Sequence, residues 1–128
     1  MLDHIGLKVT NIKKAKAFYD AALAPLGVGV VMEVSAEETG GSAYMGYGEG
    51  FKPYFWINEQ PRATELLHVA FAADSRAKVD AFYKAAMAAG GRDNGPPGLR
   101  KEYHPTYYGA FVLDPDGHNI EAVCHAPA

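Results

Sequence analysis

The segment DHIGLKVTNIKKAKAFYDAALAPLG, residues 3–27, returns 64 residues later as LHVAFAADSRAKVDAFYKAAMAAGG, residues 67–91. Between positions 4 and 27 the two copies share nine identities without a gap, among them a histidine, an Ala-Phe-Tyr triplet and a glycine. Alanine-rich helices match by chance, but histidine, aromatic and glycine matches in one register are harder to obtain that way. Repeated copies usually form one supersecondary unit each. The sequence therefore predicts a domain built by duplication.

Each copy has the pattern of a strand followed by an amphipathic helix. Apolar residues alternate along Ile5–Val9 and along its counterpart at 69–71, which is strand periodicity. Asn11 in the first copy, and Asp74 or Ser75 in the second, are helix N-cap candidates. Apolar residues then recur at helical spacing until a glycine ends each helix.

The rest of each half has strand and turn composition. The predicted strands are Val28–Val34, Ser42–Tyr47 and Lys52–Asn58 in the first half, and Leu99–Tyr103, Tyr107–Leu113 and His118–Cys124 in the second. Residues 37–41 are predicted as a turn, and residues 92–98, RDNGPPG, as a loop. The expected fold is α+β, with two tandem βαβββ modules forming a curved mixed sheet inside and the helices outside. Module one spans about 1–58, a linker 59–65 and module two about 66–125, within one domain of 1–128.

Composition excludes several classes of function. The chain has 128 residues, of which 48% are hydrophobic, and it carries 12 Lys plus Arg against 15 Asp plus Glu. This net charge of −3, without a basic cluster, argues against a nucleic-acid partner. A single cysteine, Cys124, excludes an internal disulfide, and no apolar run reaches the length of a membrane span or marks a signal peptide. We expect a cytoplasmic protein whose partner is a small molecule.

Three residues carry the chemistry that the sequence suggests. Strand alternation places His4, His68 and Glu121 on the sheet face opposite the helices. A single strand histidine is usually structural, but here the repeat places a histidine at the same position of both first strands. Two imidazoles and one carboxylate suit an octahedral divalent ion with open positions, such as Fe(II) or Mn(II). The ion would keep net positive charge to polarise substrate oxygens.

The stretches DHIGLKV, KAKAFYDAALAPLG, LHVAFAA and FVLDPDGHNIEAVCH resemble the vicinal oxygen chelate superfamily, which includes glyoxalase I, fosfomycin and bleomycin resistance proteins and extradiol dioxygenases. The resemblance covers essentially the whole chain. It implies metal ligands in the first and last strand of each module, and His4, His68 and Glu121 match three of those four positions. It also implies a divalent metal cofactor, with Fe(II) or Mn(II) favoured and zinc, nickel or cobalt as alternatives. A homodimer is implied as well, with modules paired within one chain or across two.

The fourth ligand position departs from the family pattern. The corresponding strand, PYFWIN at 53–58, has no carboxylate, amide or histidine before Asn58. The remaining three-ligand set resembles that of extradiol dioxygenases, but Phe111 stands near the position where those enzymes place a tyrosine. The resemblance therefore favours an enzyme, a dioxygenase or a glyoxalase-like lyase. The alternative is a metal-free binding protein of the bleomycin resistance type.

The remaining candidates are aromatic and polar residues around the predicted pocket. Trp56, Tyr103, His104 and Tyr108 are predicted to bind substrate, and His104 and Tyr108 are the catalytic candidates. His118 follows the turn at 114–117 and is expected to be exposed, whereas Cys124 is expected to face the helices as a buried apolar residue.

Overall fold

The computed structural model describes residues 1–128 and contains two modules that share a βαβββ order, to which module one adds a one-turn helix. Module one consists of β1 (Ile5–Val9), α1 (Ile12–Leu23), β2 (Gly29–Val34), α2 (Ala36–Thr39), β3 (Tyr44–Glu49) and β4 (Lys52–Glu59). Module two consists of β5 (His68–Ala72), α3 (Arg76–Ala88), β6 (Arg92–Leu99), β7 (Tyr108–Leu113) and β8 (Asn119–Cys124). The predicted duplication and fold class are confirmed.

The two long helices begin at side-chain caps. The Asn11 side chain accepts the Lys14 N–H at 3.0 Å, and the Ser75 hydroxyl accepts the Lys78 N–H at 3.2 Å. Ser75, rather than Asp74, is therefore the cap of α3. The buried stripe of α1 is the one that its apolar spacing predicts, namely Ala15, Phe18, Tyr19, Ala22 and Leu23.

Two segments differ from the prediction. Residues 92–98 belong to a strand, β6, whereas residues 101–103 form a turn instead of continuing a strand. Two prolines in RDNGPPG argue against a central strand, but β6 is an edge strand that pairs only with β7, so the missing N–H donors can be tolerated there. The predicted turn at 37–41 contains most of the one-turn helix α2, which a capping box between Ser35 and Glu38 stabilises.

The expected mixed sheet is present as two separate four-stranded sheets, one in each module. Their strand orders are β1-β4-β3-β2 and β5-β8-β7-β6. The pairs β1–β4 and β5–β8 are parallel, and the other pairs are antiparallel. β1 and β5 each have one edge without a partner strand.

The modules pack through their helices and one shared core. Helices α1 and α3 contact each other, and the buried apolar residues of both modules form one cluster of 21 residues, which includes Cys124. Across the module boundary the rings of Phe55 and Phe71 lie 5.1 Å apart, edge to face. No helix is long and apolar enough to cross a membrane.

The turn between β7 and β8 fastens module two to module one. The Tyr19 hydroxyl donates to the buried Asp114 carboxylate at 2.5 Å. His118 accepts the Leu67 N–H at 3.0 Å through Nδ1, and its Nε2 lies 2.7 Å from the Lys8 carbonyl oxygen. His118 is fully buried, so the expectation that it is exposed was wrong. Its burial is tolerated because both ring nitrogens have backbone partners.

Candidate functional site

His68 and Glu121 form a close pair on the face of the second sheet that points away from the helices. His68 Nε2 lies 2.7 Å from Glu121 Oε1. The Glu121 side chain is 1% exposed, whereas that of His68 is 54% exposed, so the imidazole closes the carboxylate off from solvent on one side. A buried carboxylate needs such partners, because an unpaired charge is costly away from water.

Tyr107 is the second partner of Glu121. Its hydroxyl donates to Glu121 Oε2, leaving Oε1 to His68. Burial, with the hydrogen bond to Glu121 and its charge, raises the pKa of Tyr107 to about 12, so the phenol keeps its proton at neutral pH. Gly109 provides room for this contact, since a Cβ there would lie 3.1 Å from the Tyr107 ring and 3.4 Å from Glu121 Oε2.

The candidate tyrosine Tyr108 lies elsewhere. Its hydroxyl donates to Asp80 of α3 at 2.7 Å, and the Arg76 guanidinium stands 5.0 Å from its ring centroid. Tyr108 therefore faces the helix, opposite Glu121, because neighbouring strand residues point to opposite faces. Tyr107 precedes the first residue of β7, and sequence reasoning did not single it out as a partner of Glu121.

His104 and Tyr103 lie in the turn that precedes β7. His104 accepts the Thr106 N–H at 3.2 Å and makes no hydrogen bond to Glu121. Tyr103 is 64% exposed, with its ring centroid 5.2 Å from that of Tyr107. The Tyr103 ring thus packs on Tyr107, and neither Tyr103 nor His104 is hydrogen-bonded to His68 or Glu121.

Trp56 occupies the position in module one that Glu121 occupies in module two. In the first sheet Trp56 pairs with Gly6 of β1, and in the second sheet Glu121 pairs with Ala70 of β5, the repeat counterpart of Gly6. The indole lies over Gly46, where a Cβ would come within 2.9 Å of the ring. The position that the family resemblance assigns to a fourth metal ligand therefore holds an aromatic side chain.

His4, the third ligand candidate, stands apart from His68 and Glu121. Its Nδ1 lies 2.7 Å from the Asp3 carboxylate, and its side chain is 60% exposed. Within one chain no three His, Cys, Asp or Glu side chains come close enough to hold a metal ion. His4 and His68 do line the same cavity of about 470 Å³, which the N-terminal strands of the two modules border.

His68 and Glu121 are residue types that could bind a divalent ion. Neighbouring ligand atoms on an octahedral ion with bonds of about 2.1 Å stand about 3 Å apart. His68 Nε2 and Glu121 Oε1 lie 2.7 Å apart because a hydrogen bond joins them, so an ion would have to replace that bond. Tyr107 donates to the other carboxylate oxygen, so both oxygens of Glu121 are hydrogen-bonded. Two of the three candidate ligand residues thus lie together in module two.

A family model described as the Glyoxalase/Bleomycin resistance protein/Dioxygenase superfamily matches residues 1–122. The chain belongs to this superfamily. No protein with a curated description matches the chain. A glyoxalase/bleomycin resistance protein from Albidiferax ferrireducens T118 is similar in structure, with 31% identity, a TM-score of 0.75, and coverage of 97% of this chain and 98% of that one.

More distant superfamily structures have the same fold. A mutant fosfomycin resistance protein from Listeria monocytogenes, solved with Mn(II) and a dihydroxypropylphosphonic acid, has 19% identity and a TM-score of 0.69, covering 96% of this chain and 88% of that one. Glyoxalase I from Zea mays has 18% identity and a TM-score of 0.72, covering 99% of this chain and 45% of that one. At such identities the likeness concerns the fold alone.

Proposed function

We propose that this superfamily member is a metal-dependent enzyme whose small substrate binds the metal through two adjacent oxygens. The observation that carries the proposal is the buried Glu121 carboxylate, held by Tyr107 at one oxygen and 2.7 Å from His68 at the other. A carboxylate serving only as a binding surface gains nothing from such burial. The proposed reaction is that of an extradiol dioxygenase or of a glyoxalase-like lyase.

The proposed roles follow from the geometry. His68 Nε2 and Glu121 Oε1 would hold a divalent ion, Fe(II) or Mn(II) by preference, together with His4. Such an ion supplies Lewis-acid polarisation of the two substrate oxygens. Tyr107 keeps its proton and fixes Glu121 in one orientation, so the carboxylate would offer a single oxygen to a bound metal. With two neutral imidazoles and one carboxylate, an anionic bidentate ligand is favoured.

We also propose that His4 comes from a second copy of the chain. The unpaired edges of β1 and β5 can accept another strand, and His4 lies at the start of β1. Symmetric dimers are the commonest oligomers. A homodimer in the cytoplasm, with each site shared between two chains, agrees with the separation of His4 from the other two candidates.

Metal titration of the purified chain tests the site. We expect the wild type to bind about one Mn(II) per chain in calorimetry, and His68→Ala to lower the affinity at least tenfold, since even residues that only orient metal ligands are worth about 10–100-fold. His104→Ala is the matched control, because this exposed imidazole does not contact Glu121. Unchanged Mn(II) affinity in His68→Ala, or no metal binding by the wild type, would contradict the proposed site.

A metal-free binding protein is the second candidate, and the cavity between the modules favours it. Ten of the 14 residues lining this cavity are hydrophobic, and Glu49 adds an acidic group, whereas Asp3 is paired with Lys52 and His4. Such a lining suits an apolar compound that carries a positive charge. Thermal melting with and without Mn(II) separates the two functions, because a ligand of the native state raises the melting temperature. A melting temperature indifferent to metal would favour the binding protein.

A further inference from the structure

Asn94 lies at an irregularity in the edge strand β6. The register between β6 and β7 shifts between Asp93 and Gly95 and again between Gly95 and Gly98, so Asn94 has no partner residue in the ladder. Such irregularities leave the extra residue unpaired and disrupt the ladder locally. The side chain of Asn94 is exposed to solvent and has no hydrogen-bond partner in the protein. Asn94 is therefore held by neither its backbone pairing nor its side chain.

The backbone N–H of the next residue, Gly95, is bound by a side chain. It donates to Asp93 Oδ1 at 2.9 Å, and the same exposed carboxylate oxygen accepts the Tyr83 hydroxyl at 3.1 Å. A hydrogen bond from an aspartate side chain to the N–H two residues later is an Asx-turn. Gly95 also has a φ of +148°, which side chains disfavour, and no Cβ that could hinder approach to its nitrogen.

An asparagine followed by glycine can cyclise through its own side chain. The Gly95 nitrogen attacks Cγ of Asn94, the bond between Cγ and the side-chain nitrogen breaks, and ammonia leaves with the proton of the attacking nitrogen. Water then opens the five-membered imide at one of its two carbonyl groups, which gives aspartate or isoaspartate. Water is the only co-reactant, so the reaction requires no enzyme, metal or oxidant.

We propose that Asn94 is a modification site, at which the folded protein deamidates spontaneously. The other three asparagines of the chain lack this combination of features, because each is followed by a residue with a large side chain. Asn11 is also engaged as the cap of α1, and the remaining two occupy paired positions in strands. These three residues are Asn11, Asn58 and Asn119.

Conversion of Asn94 would change the charge and the backbone of β6 while sparing the fold. A new carboxylate adds one negative charge to a chain of net charge −3, and isoaspartate adds one methylene to the backbone. The ladder pairs Arg92–Leu113 and Leu99–Tyr108, at the two ends of β6, do not involve Asn94. The other edge of β6 has no partner strand that the extra atom could displace. We therefore expect the converted chain to stay folded.

Peptide mass spectrometry of the folded full-length protein, incubated in neutral buffer, measures conversion at each asparagine. Replacement of NH2 by OH raises the peptide mass by about one dalton. We expect Asn94 to convert at least tenfold faster than Asn11, Asn58 and Asn119, because only Asn94 precedes a residue without a Cβ. Asn94→Gln should lower conversion at this position at least tenfold, since glutamine must close a larger ring.

The same chain unfolded in guanidinium separates the effect of the fold from that of the sequence. Because β6 leaves Asn94 unpaired, the rate in the folded protein should lie within about tenfold of the unfolded rate. Conversion through global unfolding alone would be slower by the unfolded fraction of a native domain, roughly 10⁻³–10⁻⁶.

Two results would overturn the proposal. One is a folded rate more than about tenfold below the unfolded rate, which would show that β6 protects Asn94 as an ordinary strand does. The other is conversion of the remaining asparagines as fast as that of Asn94. Both measurements are made without metal, so neither result depends on the proposed metal site.

Discussion

At the scale of single residues, module one has Trp56 at the position where module two has the carboxylate of Glu121. The two positions are equivalent by strand register, with Trp56 opposite Gly6 and Glu121 opposite Ala70. A second carboxylate would cancel the net positive charge that two imidazoles and one carboxylate leave on a divalent ion. In the proposed metal site, the tryptophan would preserve that charge and add a flat apolar surface.

Replacing Trp56 by glutamate should therefore tighten metal binding and weaken binding of anionic diols. We expect Trp56→Glu to raise Mn(II) affinity at least tenfold, because an added carboxylate ligand contributes both a bond and a charge. Catechol affinity of the loaded protein should fall for the same reason. Calorimetry measures both changes.

Trp56→Phe is the control for this substitution, since it keeps an aromatic ring and adds no charge. Trp56 is also the one tryptophan of the chain, so quenching of wild-type fluorescence by Mn(II) or catechol reports directly on this position. Equal Mn(II) affinity in Trp56→Glu and Trp56→Phe would place Trp56 outside the metal site.

At the scale of elements, the turn between β7 and β8 and helix α1 hold the modules together. The Tyr19 hydroxyl on α1 donates to Asp114, which also accepts the N–H groups of Asp116 and His118, both at 2.9 Å. Burial, and then the charge of Asp114, raises the pKa of Tyr19 well above its ordinary value. Asp114 therefore has a neutral phenol as its donor at neutral pH.

The Tyr19→Phe substitution should destabilise the chain at pH 7 by about 1–3 kcal/mol, because buried Asp114 loses one donor. The raised pKa of Tyr19 means that its stabilising contribution is complete below the ordinary tyrosine pKa of 10.0 and is lost as the pH rises above it. The difference in unfolding free energy between wild type and Tyr19→Phe should therefore narrow above pH 10. Urea unfolding at pH 7 and at pH 10.5 measures both values.

Tyr44→Phe is the matched control for Tyr19→Phe, because Tyr44 is 37% exposed and its hydroxyl has no partner in the protein. The unfolding free energy of Tyr44→Phe should equal that of the wild type at both pH values. A Tyr19→Phe deficit that stays constant from pH 7 to pH 10.5 would show that Tyr19 does not titrate as its buried position requires.

Elements with regular periodicity were predictable from the sequence, and those that depend on distant partners were not. Alternation along β5 and β8 correctly predicted that His68 and Glu121 lie on the sheet face opposite the helices. Near the start of β7 the predicted tyrosine was Tyr108 and not Tyr107, because single-residue phase is uncertain where a strand follows a turn. The burial of His118 could not be predicted from the sequence, since its hydrogen-bond partners, Leu67 and Lys8, lie 51 and 110 residues away along the chain.

At the scale of the whole molecule, duplication explains why a single chain assembles only part of the proposed site. Each module offers a histidine at the start of its first strand, but His68 meets the buried carboxylate of Glu121, whereas His4 meets only the exposed carboxylate of Asp3. The free edges of β1 and β5 remain available for another copy. A second chain docking there would complete the set of three ligands.

Mixing two variants that are each expected to bind Mn(II) weakly tests whether the metal sites are shared between chains. A His4→Ala chain keeps His68 and Glu121, and a His68→Ala chain keeps His4, so a mixed dimer has one complete site and one site lacking both histidines. Random pairing of equal amounts makes half of the dimers mixed, which restores about one quarter of the wild-type Mn(II) sites.

Each variant alone should bind Mn(II) at least tenfold more weakly than the wild type. Calorimetry after unfolding and refolding the mixture together measures the recovery, and light scattering checks that dimers form. If the refolded mixture recovers no sites, or if the protein is monomeric at micromolar concentration, then His4 does not come from a second chain.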